Sequence, residues 1–114
     1  MKGDGVYLKH ILDAIDRIES YVSVGRETFL STSHWQDAVI RQLEIVGEAT
    51  KRLSHSLRSR YSEVPWRRIA GLRDVLIHDY MGVDLEAVWE ITQGNLPPLK
   101  EHVQLILSEL DDSE

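Results

Sequence analysis

Apolar residues recur every three or four positions along almost the whole chain, and the alternation of a half-buried strand is absent. Leu8, Ile11, Leu12, Ile15, Ile18 and Val22 form one stripe, with Asp13, Asp16, Arg17 and Glu19 elsewhere, which predicts a helix over 4–24. Gly25 suits the left-handed position just past a helix end. Ser33 and Gln36 have the spacing of a capping box. A second helix comes next, with Trp35, Ala38, Val39, Leu43, Val46, Ala49 and Leu53 as its apolar face, ending near Leu53 or running on toward Leu57. Gly47 inside it costs about 1 kcal/mol relative to alanine, and close helix packing is the expected return. Pro65 fits the first position of a third helix, which carries Trp66, Ile69, Leu72, Val75, Leu76 and Ile77, bends at Gly71 and stops near Tyr80, before Gly82. Asp84 caps a helix over 85–92, Gly94–Pro98 predicts a break, and Pro97 or Pro98 starts a last helix through Leu107. The acidic tail from Glu109 to Glu114 is expected to fray. The pattern predicts an all-α fold, a four- or five-helix bundle in one domain over 1–114.

Composition narrows the function. A chain of 114 residues can bury roughly two-thirds of its unfolded surface, enough for a core. There is no cysteine, which removes disulfides and cysteine-based zinc sites and favours the cytoplasm. The first ten residues lack the layout of a signal peptide, and no run of about 18 apolar residues exists to span a membrane. The net charge of −6 disfavours nucleic acid as a partner, but its distribution does not. From Lys51 to Arg73 seven cations face Glu63 alone, a net +6, whereas the chain from Asp74 onward is −9. A local basic surface on an acidic protein is one reading, and a solvated helix face is the other.

The segment Gly71–Tyr80 concentrates the polar chemistry. Arg73 and Tyr80 are seven apart and share a helical face, and Asp74 and His78 are neighbours four apart. Arg73 and His78 are five apart, so about 140° separates them around an ideal helix. Both reach one cleft only if the helix departs from ideal geometry or a second chain completes the site. Such a set can cut RNA: a histidine takes the 2′-hydroxyl proton near neutral pH, and an arginine grips the scissile phosphate and its developing charge. No metal is needed for that attack. Asp74 could orient the imidazole. The plain alternative is an Asp–His helical pair beside a surface arginine. His10, His34, His55 and His102 show no metal-ligand spacing and read as surface or structural, and Glu44 and Glu48 as solvated or paired with Lys51 or Arg52. Trp35, Trp66 and Trp89 fall on apolar stripes and read as core.

The motif Arg73-x4-His78-x-Tyr80 resembles the signature of the HepT family, toxins of the HEPN–nucleotidyltransferase toxin–antitoxin systems. Ala38–Ala49 resembles the family's second-helix segment, Val64–Arg73 its lead into the motif, and His78–Asp84 with Leu96-Pro97 the stretch beyond it, so the likeness runs from about Tyr7 to Ile106. The residue after the motif arginine, often asparagine in the family, is Asp74 here.

The resemblance implies a HEPN-type helical bundle, a homodimer whose two motifs face one cleft, and a metal-independent endoribonuclease with no cofactor. Arg73 would clamp phosphate, His78 act as general acid–base and Asp74 orient it; by the charge distribution, the basic stretch from Lys51 to Arg68, with Arg52, Arg67 and Arg68, would help hold the RNA substrate. It also implies a cognate minimal nucleotidyltransferase antitoxin that silences the toxin by AMPylation of Tyr80. The rival expectations are a non-catalytic helical subunit that binds nucleotide or partner and regulates that nucleotidyltransferase, and a plain dimerising scaffold.

Overall fold

Three long amphipathic helices build the body of the computed structural model, which describes residues 3–72 and 84–112. Helices α1 (Asp4–Val22) and α3 (Ser33–Lys51) pack along their length, and α7 (Leu96–Asp112) lies against α1. Short helices turn the corners: α2 (Arg26–Ser31), α4 (His55–Arg60), α5 (Trp66–Ala70) and α6 (Leu85–Glu90). A π-helical turn, Ile91–Asn95, joins α6 to α7. All regular structure among the described residues is helical, as the periodicity predicts.

The expected stripes are the core. Leu8, Ile11, Ile15 and Ile18 of α1 meet Val39, Leu43 and Val46 of α3 in one cluster, and Val103 and Ile106 of α7 complete it. Leu12, Val22 and Trp35 border the cluster rather than filling it. Gly47 is buried within α3. Trp66 is buried, and Trp89 packs on the cluster with its ring 5.5 Å from that of Phe29.

Several boundaries differ from expectation, each for a local reason. α1 ends at Val22, so Gly25 lies beyond its end and opens α2 with φ +95°. That backbone conformation disfavours side chains, and there the Gly25 N–H donates to the Val22 carbonyl while its own carbonyl accepts from Phe29. α2 fills what reads as a loop in the sequence. Its six residues are too few for periodicity to reveal, and the fully buried Phe29 anchors it. The capping box at Ser33 does not form. Thr32 takes the cap position, and the Gln36 amide instead donates to the Phe29 and Leu30 carbonyls, at 3.0 and 3.1 Å. Those carbonyls stand at the end of α2, where a helix has no internal donors left. Pro65 is the cap of α5 rather than its first residue.

The expected break at Gly94–Pro98 is a continuous element. The wider π turn closes with the Leu96 N–H donating to the Ile91 carbonyl, and Pro97 and Pro98 fall in the first turn of α7, where missing N–H groups cost least. Asp84 caps α6 as expected, accepting from the Ala87 N–H at 3.1 Å. The tail does not fray at Glu109: α7 continues to Asp112, and the Tyr61 hydroxyl donates to the Glu109 carboxylate.

Among the described residues, further polar ties hold distant elements together. Asp4, only 3% exposed, accepts from the Ser54 N–H at 2.8 Å and from its hydroxyl at 2.7 Å. The Ser54 oxygen in turn accepts from the Leu57 N–H and caps α4. This is why the second helix stops at Lys51 rather than running on to Leu57. On the other side, Lys100 of α7 pairs with Glu19 and Asp16 of α1 at 2.7 and 3.2 Å, and the hydrogen bonds to Glu19 and then Asp16 hold its ammonium above the ordinary lysine value.

Asp4→Ala strands the Ser54 N–H in a half-buried turn, which costs about 1–3 kcal/mol. Urea unfolding is expected to show a loss of that size. Unchanged stability would contradict the tie.

Candidate nucleic-acid interface

The four residues of the sequence motif, Arg73, Asp74, His78 and Tyr80, lie outside the described residues. What the structure provides is the ground on the N-terminal side of that motif: α4, α5 and the corner between them. The corner is built by Trp66. Its buried indole N–H donates to the Tyr61 carbonyl at 3.0 Å, and its backbone N–H donates to the Val64 carbonyl at 2.8 Å. Tyr61, Val64 and Trp66 are buried together, so the end of α4 and the start of α5 are locked at a fixed angle. α5 then closes at Gly71, whose N–H donates to the Arg67 carbonyl. The helix expected to run from Trp66 is thus interrupted at Gly71, and its continuation toward Tyr80 lies outside the described residues.

With Trp66, Ile69 and Ala70 facing inward, Arg67 and Arg68 face outward and are exposed. They border a groove of about 780 Å³ whose other wall is α4, with His55, Arg58 and Ser59. Ser62 and Pro65 lie in the corner. Among the described residues no carboxylate lines this groove, and no ion pair engages Arg58, Arg67 or Arg68. Arg60 points elsewhere, its guanidinium 5.4 Å from the centre of the Tyr61 ring.

Arg52 stands apart from the other two arginines assigned to RNA from the sequence. It comes just after the last turn of α3, pairs with Glu48 at 3.5 Å and lines a separate groove of about 490 Å³ with Tyr7, His10, Arg41 and Glu44. Arg41 and Glu44 are 3.8 Å apart there, so that groove carries both signs of charge. Glu48 pairs with Arg52 as its spacing predicts. His34 stacks on Trp35, with ring centres 4.5 Å apart, and His10 meets Tyr7 edge-on. Among the described residues no group of three or more histidines and carboxylates could hold a metal ion. Spacing alone places His55 simply at the surface. Its position beside Arg58 and across from Arg67 depends on the α4–α5 corner, which no local pattern announces.

All regular structure among the described residues is helical, and the basic groove precedes the Arg73–Tyr80 segment in the sequence. The model of the family described as "Ribonuclease HepT-like" matches residues 11–106, and the chain belongs to this HepT-like ribonuclease family. The chain is 44% identical over 96% of its length to "Gamma-glutamylcyclotransferase and putative RNase MJ0434" of Methanocaldococcus jannaschii, spanning half of that relative. It is 41% identical to "Putative RNase TTE0752" of Caldanaerobacter subterraneus subsp. tengcongensis, over 94% of this chain and 96% of the relative. It is 42% identical to "Probable ribonuclease HepT" of Thermococcus cleftensis, over 82% and 86%. No solved structure matches the chain at a significant level. No helix among the described residues is long and apolar enough to cross a membrane.

Proposed function

We propose that this chain is the toxin of a HepT–nucleotidyltransferase pair, an endoribonuclease that cuts RNA without a metal ion. One observation carries the reading: the family match over residues 11–106 includes the whole of Arg73-x4-His78-x-Tyr80. The relatives' names support the same class of activity.

In this mechanism His78 accepts the proton of a ribose 2′-hydroxyl. The 2′-oxygen attacks the adjacent phosphorus, and Arg73 neutralises the charge that builds on the non-bridging oxygens. The bond to the 5′-oxygen breaks, and that oxygen takes a proton from imidazolium. The products are a 2′,3′-cyclic phosphate and a 5′-hydroxyl, and atoms and charge balance without an added reagent. Asp74, four residues before His78 in the sequence, orients the imidazole. A second copy of the chain faces its motif to the first across a two-fold axis, which would answer the roughly 140° that an ideal helix would put between Arg73 and His78. Arg67 and Arg68 hold RNA beside the cleft, and Arg52 contacts it farther out.

His78→Ala is expected to lower cleavage by about 10²–10⁴-fold, and Arg73→Ala by about 10²–10³-fold, both in folded protein and with no response to EDTA. Inhibition by chelator, restored by one divalent ion, would overturn the mechanism. Purified protein that binds a nucleotidyltransferase yet leaves every RNA intact would favour the non-catalytic subunit instead.

Silencing follows from the spacing of the motif. Tyr80 is seven residues after Arg73, a spacing that would put both on one face of a helix, so AMP attached to its hydroxyl would put a phosphodiester where the substrate phosphate must sit. Tyr80→Phe is expected to retain at least part of the nuclease activity and to escape silencing by the antitoxin and ATP. Mass spectrometry after incubation with both partners checks this. AMP found on another residue, or equally on the variant, would overturn the assignment.

A further inference from the structure

We infer that the groove between α4 and α5, walled by His55, Arg58, Arg67 and Arg68, is a binding track for the sugar–phosphate backbone of single-stranded RNA. This rests on the nuclease reading for the identity of the ligand. Three features argue for it. First, the groove concentrates cations without a matching anion: no carboxylate among the described residues lines it, and its three arginines make no ion pair with described residues. The protein as a whole carries −6, so an uncompensated cluster of this kind is against its average. Neighbouring guanidiniums repel one another, and a polyanion relieves that repulsion while releasing counterions to solvent.

Second, the donors suit phosphodiesters. Guanidinium forks match phosphate oxygens, and the exposed hydroxyls of Ser59 and Ser62 add neutral donors along the same wall. The groove offers no exposed tryptophan, tyrosine or phenylalanine for stacking, since Trp66 is buried, so it reads backbone rather than bases. Third, the chain keeps the track close to Arg73. Arg73 is five positions after Arg68, a reach of at most about 18 Å in any conformation. A strand lying in the groove is therefore only a few nucleotides from the phosphate to be cut. The groove around Arg52 carries both signs of charge, with Arg41 and Arg52 paired to Glu44 and Glu48, and lies outside the track, so the contact proposed for Arg52 is a separate one.

The test uses a labelled single-stranded RNA with 2′-O-methyl riboses, which lacks the nucleophile and cannot be cut. Its binding to the full chain is measured by fluorescence anisotropy over a series of KCl concentrations. Arg58→Ala, Arg67→Ala and Arg68→Ala are each expected to weaken binding about tenfold. Each should also reduce the slope of log affinity against log salt by about 0.7, the loss of one single-strand phosphate contact. Arg68→Lys keeps the charge and should keep the slope, while Arg41→Ala, in the other groove, should bind as wild type does. Circular dichroism melts establish that each variant is folded. If Arg58, Arg67 and Arg68 can be replaced together with affinity and slope unchanged, the track is wrong, even should the triple variant lose a protein partner. Groove-dependent binding with no cleavage of ordinary RNA by wild type would remove the nuclease reading and keep the track. Cleavage that ignores the groove would do the reverse.

Discussion

The apolar seam between α1 and α3 is what the remaining structure depends on. Leu8, Ile11 and Ile15 on one helix and Val39, Leu43 and Val46 on the other are fully removed from water. Burying side chains of this size is worth about 1.5–3 kcal/mol each, so the set together outweighs any single polar contact here. Every short element then finds its place against that pair or against helices resting on it. α7 closes one side with Val103 and Ile106, and α5 leans on α3 from another. The polar ties come second. Asp4 with Ser54, and Lys100 with Glu19 and Asp16, fix the ends of helices already packed by their apolar faces.

The candidate interface is a consequence of how little core the short helices need. α4 and α5 are each too short to bury more than a few side chains, so they turn their remaining positions outward. Leu57 fastens one and Trp66 with Ile69 the other. The outward positions are then available to carry Arg58, Arg67 and Arg68 with no effect on the core. A charged surface of this sort costs little in folding, because solvent screens it, and leaves the groove open to the polyanion proposed above.

Much of this is legible in the sequence, and the reason is length. The stripes of α1 and α3 repeat over five turns, so their faces and the all-α class come from spacing alone. Asp84 is legible because a cap is a local event. α2 is not, because one buried phenylalanine makes no pattern. The π turn reads as a break, since Gly94 and two prolines are local signals for a stop and the wider turn that accommodates them is not encoded locally. The Asp4–Ser54 tie joins residues 50 apart, and nothing near either one announces the other. At the interface, the run of cations from Lys51 onward is visible, but its division into two grooves is not. Arg52 goes with the acids of α3, and Arg58 goes with Arg67 and Arg68, only because the chain turns at Ser54 and again at Trp66.

The family places the chain among HepT-like ribonucleases, and the motif supplies a histidine and an arginine suited to transfer of the 2′-hydroxyl proton and stabilisation of the phosphate. The central claim is that the ribose attacks its own phosphate with no metal-activated water. The chemistry at the cut ends decides it. Mass spectrometry of a short RNA cleaved in EDTA should find a 2′,3′-cyclic phosphate on one fragment and a 5′-hydroxyl on the other. A 3′-hydroxyl facing a 5′-phosphate would mean that water, not the ribose, was the nucleophile, and would contradict the account.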